Sequence, residues 1–144
     1  MSGTVDSSLL GDGPYRIGHL TLNAPQSLNS LTRDMVEILL DSLLAWRDDE
    51  TVAAVFIDGI GDKAFCAGGD VQALRDSCLA MPGGPCEYAE NFFAREYRMN
   101  YILHTYPKPV ICWGHGVVMG GGFGLMVGAS HRVVTPSSRM AMPE

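Results

Sequence analysis

Two glycine clusters stand where the backbone itself could do chemistry: Gly68-Gly69 before one segment of helical character, and Gly120-Gly121-Gly122 before another. The first turn of a helix leaves N–H groups unpaired at the positive end of its dipole, and glycine lets a ligand oxygen come close to them. Two such donors aimed at one point would form an oxyanion hole, worth roughly 3 to 4 kcal/mol per donor to a thioester or acyl oxyanion. The same glycines would equally serve tight packing of helices. On residue types alone both readings stand.

Other motifs carry less. Gly59-Ile60-Gly61-Asp62-Lys63-Ala64 fits the dinucleotide pattern G-x-G-x-x-G/A directly after an expected strand. That pattern needs a helix from its second glycine, and Phe65-Cys66-Ala67-Gly68-Gly69 is a poor one, so a Rossmann-type site is not expected. There is no phosphate-binding G-x-x-x-x-G-K-[ST] and no G-x-S-x-G elbow. Cys66 has no evident base and reads as a small buried thiol. Asp70 reads as a helix cap. His19, His104, His115 and His131 are scattered, without zinc spacing, so no metal site is expected.

Several elements must position these residues. Tyr15–Asn23 alternates as a strand and ends in a turn at Ala24-Pro25-Gln26. Ser30 or Thr32 can cap a helix carrying Met35, Val36, Leu39, Leu40, Leu43 and Trp46 at helical spacing. Val52–Asp58 has the β-branched run of a strand covered on both faces. A short extended piece at Ala64–Ala67 leads through the glycines into a helix from Asp70 to Leu79, and Met81-Pro82-Gly83-Gly84-Pro85 breaks the chain. An amphipathic helix is predicted from Glu87 to about Thr105, then strand Val110–Trp113, a helix opening at Gly120-Gly121-Gly122, and strand His131–Val134. Alternating strands and helices imply an α/β fold with parallel sheet. Residues 1–14, rich in Gly, Ser and Asp, are expected to be flexible, with one domain over 15–144.

At 144 residues and 47% hydrophobic content, the chain can bury a core of its own. A net charge of −6 with only 10 Lys and Arg argues against a nucleic-acid partner. The 23 residues from Pro109 to His131 contain no charged Asp, Glu, Lys or Arg, enough to span a membrane by length, but seven are glycine. Buried strand, turn and helix are expected there, with no membrane partner. The four cysteines form no C-x-x-C pair and the chain opens without a basic and apolar leader, from which reduced thiols and a cytoplasmic protein are expected.

Lys63-Ala64-Phe65-Cys66-Ala67-Gly68-Gly69-Asp70 together with His115-Gly116-Val117-Val118-Met119-Gly120-Gly121-Gly122-Phe123-Gly124 resembles the crotonase (enoyl-CoA hydratase/isomerase) superfamily, in the family's order. Leu22-Asn23-Ala24-Pro25 through Leu28-Asn29-Ser30-Leu31 resembles its first strand and turn, so the likeness covers nearly the whole chain. Glu96-Tyr97-Arg98-Met99-Asn100, Pro107-Lys108-Pro109 and the terminal Ala141-Met142-Pro143-Glu144 resemble the 3-hydroxyisobutyryl-CoA hydrolase branch. The resemblance implies a crotonase-like ββα spiral core, here its N-terminal part. It implies thioester hydrolysis of an acyl-CoA, in the chemistry of valine breakdown, with coenzyme A entering as part of the substrate and no separate cofactor.

By the same resemblance Gly69 and Gly121 match the oxyanion-hole positions, Glu144 the catalytic acid, and Glu96 a substrate-contacting carboxylate; Gly121 and Glu144 also fall at substrate-binding positions. Gly124 departs from the pattern, because the hydratases carry there a second Glu that helps activate water. Asn23-Ala24-Pro25-Gln26 replaces the family's basic first turn, which leaves the holding of the coenzyme phosphates unassigned. The branch's second acid, an Asp, would lie beyond Glu144, so the chain reads as the front part of a longer protein. A hydratase or isomerase working with one Glu, and a fragment completed by a second polypeptide or by oligomerisation, are the alternatives.

Overall fold

The computed structural model describes residues 3–143. Strands β1 (Thr4–Leu10), β2 (Arg16–Asn23), β3 (Val52–Gly59), β5 (Val110–Gly114) and β7 (His131–Val134) form one sheet in the order β1-β2-β3-β5-β7. β1 is antiparallel to β2; the other neighbours are parallel. A second, three-stranded parallel sheet holds β4 (Ala64–Cys66), β6 (Val117–Met119) and β8 (Arg139–Ala141). Helices α1 (Arg33–Arg47), α2 (Val71–Leu79), α3 (Glu87–His104) and α4 (Gly121–Gly128) lie between strands in the chain.

The apolar stripe of α1 forms as its spacing predicts. Met35, Val36, Leu39, Leu40 and Leu43 are fully buried, each worth about 2 kcal/mol of transfer free energy. Thr32, rather than Ser30, is the cap, its side chain accepting from Met35 N–H at 3.2 Å. Trp46, near the end of α1, lies where a Cβ on Gly18 of β2 would intrude. Asp70 caps α2, accepting from Ala73 N–H at 3.1 Å. Among the described residues no helix is long and apolar enough to cross a membrane.

The chain differs from its sequence expectation in two places. Thr4–Leu10, within the segment expected to be flexible, is a strand that runs along β2 from the pair Thr4–Asn23 to Leu10–Ile17. Its composition hid this because it is an edge strand, where only Val5 is buried and Asp6, Ser7 and Ser8 face outward. Val117–Met119, expected only as the lead into a helix, is a strand, because three residues are too few to show a period. The strands fall into two sheets whose pairs are parallel, as the alternation of strands and helices implies, apart from the antiparallel pair β1–β2.

Candidate active site

The segment Ala67–Asp70 is held by the turn before α1. Leu31 N–H donates to the Gly68 carbonyl at 2.7 Å, Asp70 N–H to that of Leu31 at 2.8 Å, and Ala67 N–H to that of Leu28 at 3.0 Å. Asn29 fixes that turn. Its Oδ1 accepts from Ala24 N–H at 2.9 Å, and its Nδ2 donates to the carbonyls of Ile60 at 3.0 Å and Ala64 at 2.9 Å. Leu28 and Asn29 adopt φ of 54° and 56°, a left-handed pair that reverses the chain.

Three adjacent glycines at the start of α4 do three different jobs. Gly120 takes φ +53°, which turns the chain from β6 into the helix. Gly122 lies directly on the Cys66 carbonyl, so α4 can approach β4 only without a Cβ there. Gly121 faces Glu96 Oε1. Gly122 thus follows the packing reading of the cluster, at one of its three positions.

The two glycine clusters, far apart in sequence, meet. The Cβ direction of Gly68 points to Met119 O at 3.5 Å and to Gly121 N at 4.0 Å, while that of Gly120 meets Gly68 Cα at 3.6 Å. Gly69 packs beside the Phe92 ring at 3.3 Å from its Cβ direction. Among the described residues neither Gly69 N–H nor Gly121 N–H donates to a protein acceptor. Two unspent donors thus belong to one small region.

Glu96 projects from the buried face of α3, alongside Phe92, Met99 and Leu103, and is 6% exposed. Burial pushes its carboxyl above the ordinary glutamate value. Among the described residues no cation lies within ion-pair distance of it. One turn further, Asn100 Oδ1 is buried without a hydrogen-bond partner among the described residues, and its Nδ2 lies 3.5 Å from where a Cβ on Gly124 would stand. The site therefore offers two backbone donors, one carboxyl that readily holds a proton, and one unsatisfied amide oxygen. Asn29 and Asn100 were not singled out from the sequence as functional, since an asparagine in a turn or on a helix carries no signature by itself.

The remaining candidates fall outside this chemistry. Cys66 is fully buried, its thiol is pushed up to about 12, chiefly by desolvation, and it points to the Gly68 carbonyl at 3.6 Å. Ala64 opens a strand where a dinucleotide fingerprint needs helix. His115 Nε2 lies 2.8 Å from the Gly61 carbonyl, and no cluster of three or more metal-binding side chains occurs among the described residues. Glu144 lies outside the described residues. A cleft of about 160 Å³ beside the Asn29 turn is lined by Pro25, Leu28, Ile60 and Lys63.

Two sheets joined by helices in this order form the crotonase fold, in which the Gly68-Gly69 and Gly120-Gly121 segments touch and Gly121 faces the buried Glu96 carboxyl. The chain belongs to the enoyl-CoA hydratase/isomerase family, whose model matches residues 17–144. It is 39% identical over 144 residues to a mitochondrial 3-hydroxyisobutyryl-CoA hydrolase of Danio rerio, covering all of this chain and 37% of that one. It is 34% identical to the small ribosomal subunit protein mS47 of Neurospora crassa, again over all of this chain and 28% of the relative. The crystal structure of a carnitinyl-CoA dehydratase from Mycobacterium thermoresistibile superposes with a TM-score of 0.87 at 42% identity, over 96% of this chain and 39% of that one. The chain thus spans about a third of the lengths of the first relatives it matches.

Proposed function

We propose that the protein hydrolyses an acyl-CoA thioester, with 3-hydroxyisobutyryl-CoA as substrate. The observation that carries this reading is the meeting of Gly121 with the buried Glu96, which has no ion-pair partner among the described residues, in a site whose Gly124 supplies no second carboxylate. Hydration of a double bond by the two-carboxylate route needs a partner acid on α4. Thioester hydrolysis needs donors for the oxyanion and one acid elsewhere.

The thioester oxygen accepts from Gly69 N–H and Gly121 N–H, which together favour the tetrahedral oxyanion over the planar ground state. Glu144, in the Met142-Pro143-Glu144 segment, attacks the carbonyl or takes a proton from water. Glu96 orients the 3-hydroxyl or that water, and its raised affinity for a proton lets it donate as well as accept. Lys63, at the mouth of the cleft beside the Asn29 turn, offers a cation to the coenzyme phosphates.

The test is release of free coenzyme A thiol from 3-hydroxyisobutyryl-CoA by the full-length protein, with the Glu144→Gln variant alongside. Thiol release that is lost in the variant while acyl-CoA affinity remains supports the reading. Turnover without thiol release marks a hydratase, dehydratase or isomerase instead, the chemistry named for the structural neighbour. Retained thiol release in the variant removes Glu144 from the mechanism. The length of chain relative to its relatives favours a second reading for these 144 residues by themselves: acyl-CoA binding without turnover. An intact-mass spectrum of the active sample separates the two readings, since it shows which polypeptides are present.

A further inference from the structure

Cys78 lies in the last turn of α2 and Cys86 is the N-cap of α3, with Met81-Pro82-Gly83-Gly84-Pro85 folded back between them. Gly83, at φ +74°, makes that reversal. The outcome is a sulfur pair: Cys78 Sγ is 2.9 Å from Cys86 Sγ, and Ser77 Oγ is 3.2 Å from the latter. The pair is reachable from solvent. Cys78 is exposed and Cys86 half-buried, and a cleft of about 310 Å³ lined by Met81, Pro85 and Tyr88 opens beside Cys86. Cys66 and Cys112 are sealed in the core, where desolvation pushes both thiols up to about 12.

The two sulfurs are also unequal. The Cys78 thiol and then Ser77 hold Cys86 below the ordinary thiol value, while the same contact raises Cys78. Cys86, at the N-terminus of α3 with Cys78 Sγ and Ser77 Oγ both within hydrogen-bond reach, is the sulfur better placed to carry the thiolate, and Cys78 lies within bonding reach of it.

We propose that Cys78 and Cys86 are a redox modification site, closing into a reversible intramolecular disulfide when a hydroperoxide oxidises the pair. The Cys86 thiol gives its proton to solvent, and the thiolate attacks one oxygen of hydrogen peroxide; the O–O bond breaks, the departing hydroxide takes up that proton to become water, and Cys86 becomes a sulfenic acid. The Cys78 sulfur, losing its proton to solvent, then attacks the Cys86 sulfur. The S–S bond forms, the S–O bond breaks, and water leaves. Two thiols are oxidised and one peroxide is reduced to two waters. The new bond ties the end of α2 to the start of α3, the helix that carries Glu96. Because α2 buries no residue fully, that covalent tie limits a helix the core holds only weakly.

Hydrogen peroxide in modest excess, followed by intact-mass measurement and peptide mapping without reductant, tests this. The expected product is one species lighter by two hydrogens, with Cys78 and Cys86 peptides linked within one chain and restored by dithiothreitol. Cys86→Ser abolishes the linked product, while Cys78→Ser leaves a sulfenic acid at Cys86 that a dimedone-type probe labels. A link between chains, oxidation at Cys66 or Cys112 first, or no linked peptide overturns the proposal. Equal probe labelling of the two serine variants overturns the assignment of Cys86 as the attacking sulfur.

Discussion

Glu96 Oε1 occupies the space into which a Cβ on Gly121 would project. The carboxyl and the first residue of α4 are therefore adjusted to each other, so that a side chain at position 121 must move the carboxyl. Gly121→Ala must displace the Glu96 side chain, which is free to swing because its end is flexible. We expect thiol release by the full-length protein to fall by about 100-fold, the order of losing one oxyanion donor or its alignment. The unfolding midpoint should change much less than activity does, and a thermal melt beside the kinetic assay checks both.

Two carboxylates on or against α3 should respond to pH with opposite signs. Burial raises the Glu96 carboxyl, so the folded chain keeps a proton over a window in which the unfolded chain has lost it. Stability attributable to Glu96 falls as pH rises from the ordinary glutamate value through the raised one. Glu96→Gln should be more stable than the parent at neutral pH and converge with it below the ordinary value. Melting curves across acid to neutral pH measure the difference.

Glu37 runs the other way. Arg95 donates to both of its carboxylate oxygens at 2.6 Å, tying α3 to α1, and that hydrogen bonding is the foremost cause of its lowered value. Its contribution is complete above the ordinary glutamate value and is lost as pH falls through the depressed one. Glu37→Gln should cost about 0.5–1 kcal/mol at neutral pH, modest because both side chains are about one third exposed. The cost should vanish in acid.

Asn29→Ala removes three hydrogen bonds in a turn where Asn29 is 1% exposed. The groups left behind are backbone atoms, two of them buried, so a loss of about 2–4 kcal/mol is expected by chemical denaturation. Because the same turn holds Ala67–Asp70, acyl-CoA affinity should fall as well.

Neighbouring glycines of α4 should differ in sign. Gly122→Ala drives a methyl against the Cys66 carbonyl, a backbone atom that cannot turn aside, and should cost about 1–3 kcal/mol. At Gly124 a Cβ meets Asn100 Nδ2 at 3.5 Å, an ordinary contact. Gly124→Ala should therefore gain up to about 1 kcal/mol from helix propensity. Denaturant midpoints of the two variants decide it.

Local periodicity and capping chemistry made much of this protein legible in its residues. The buried stripe of α1, the cap at Asp70, the extent of α3 and the identity of the two glycine motifs all follow from contacts within a few residues, which sequence spacing records directly. Strand β1 and strand β6 did not, because a polar edge and a three-residue strand draw their stability from a neighbour rather than from their own pattern. Tertiary structure alone decided which glycine does which job, since that depends on what lies opposite: Cys66 for Gly122, Glu96 for Gly121. It also decided that Glu96 is buried with no cation beside it among the described residues and that Cys78 meets Cys86 across a chain reversal. Helix and turn are choices of neighbouring residues; desolvation and proximity are properties of whatever the rest of the chain brings alongside.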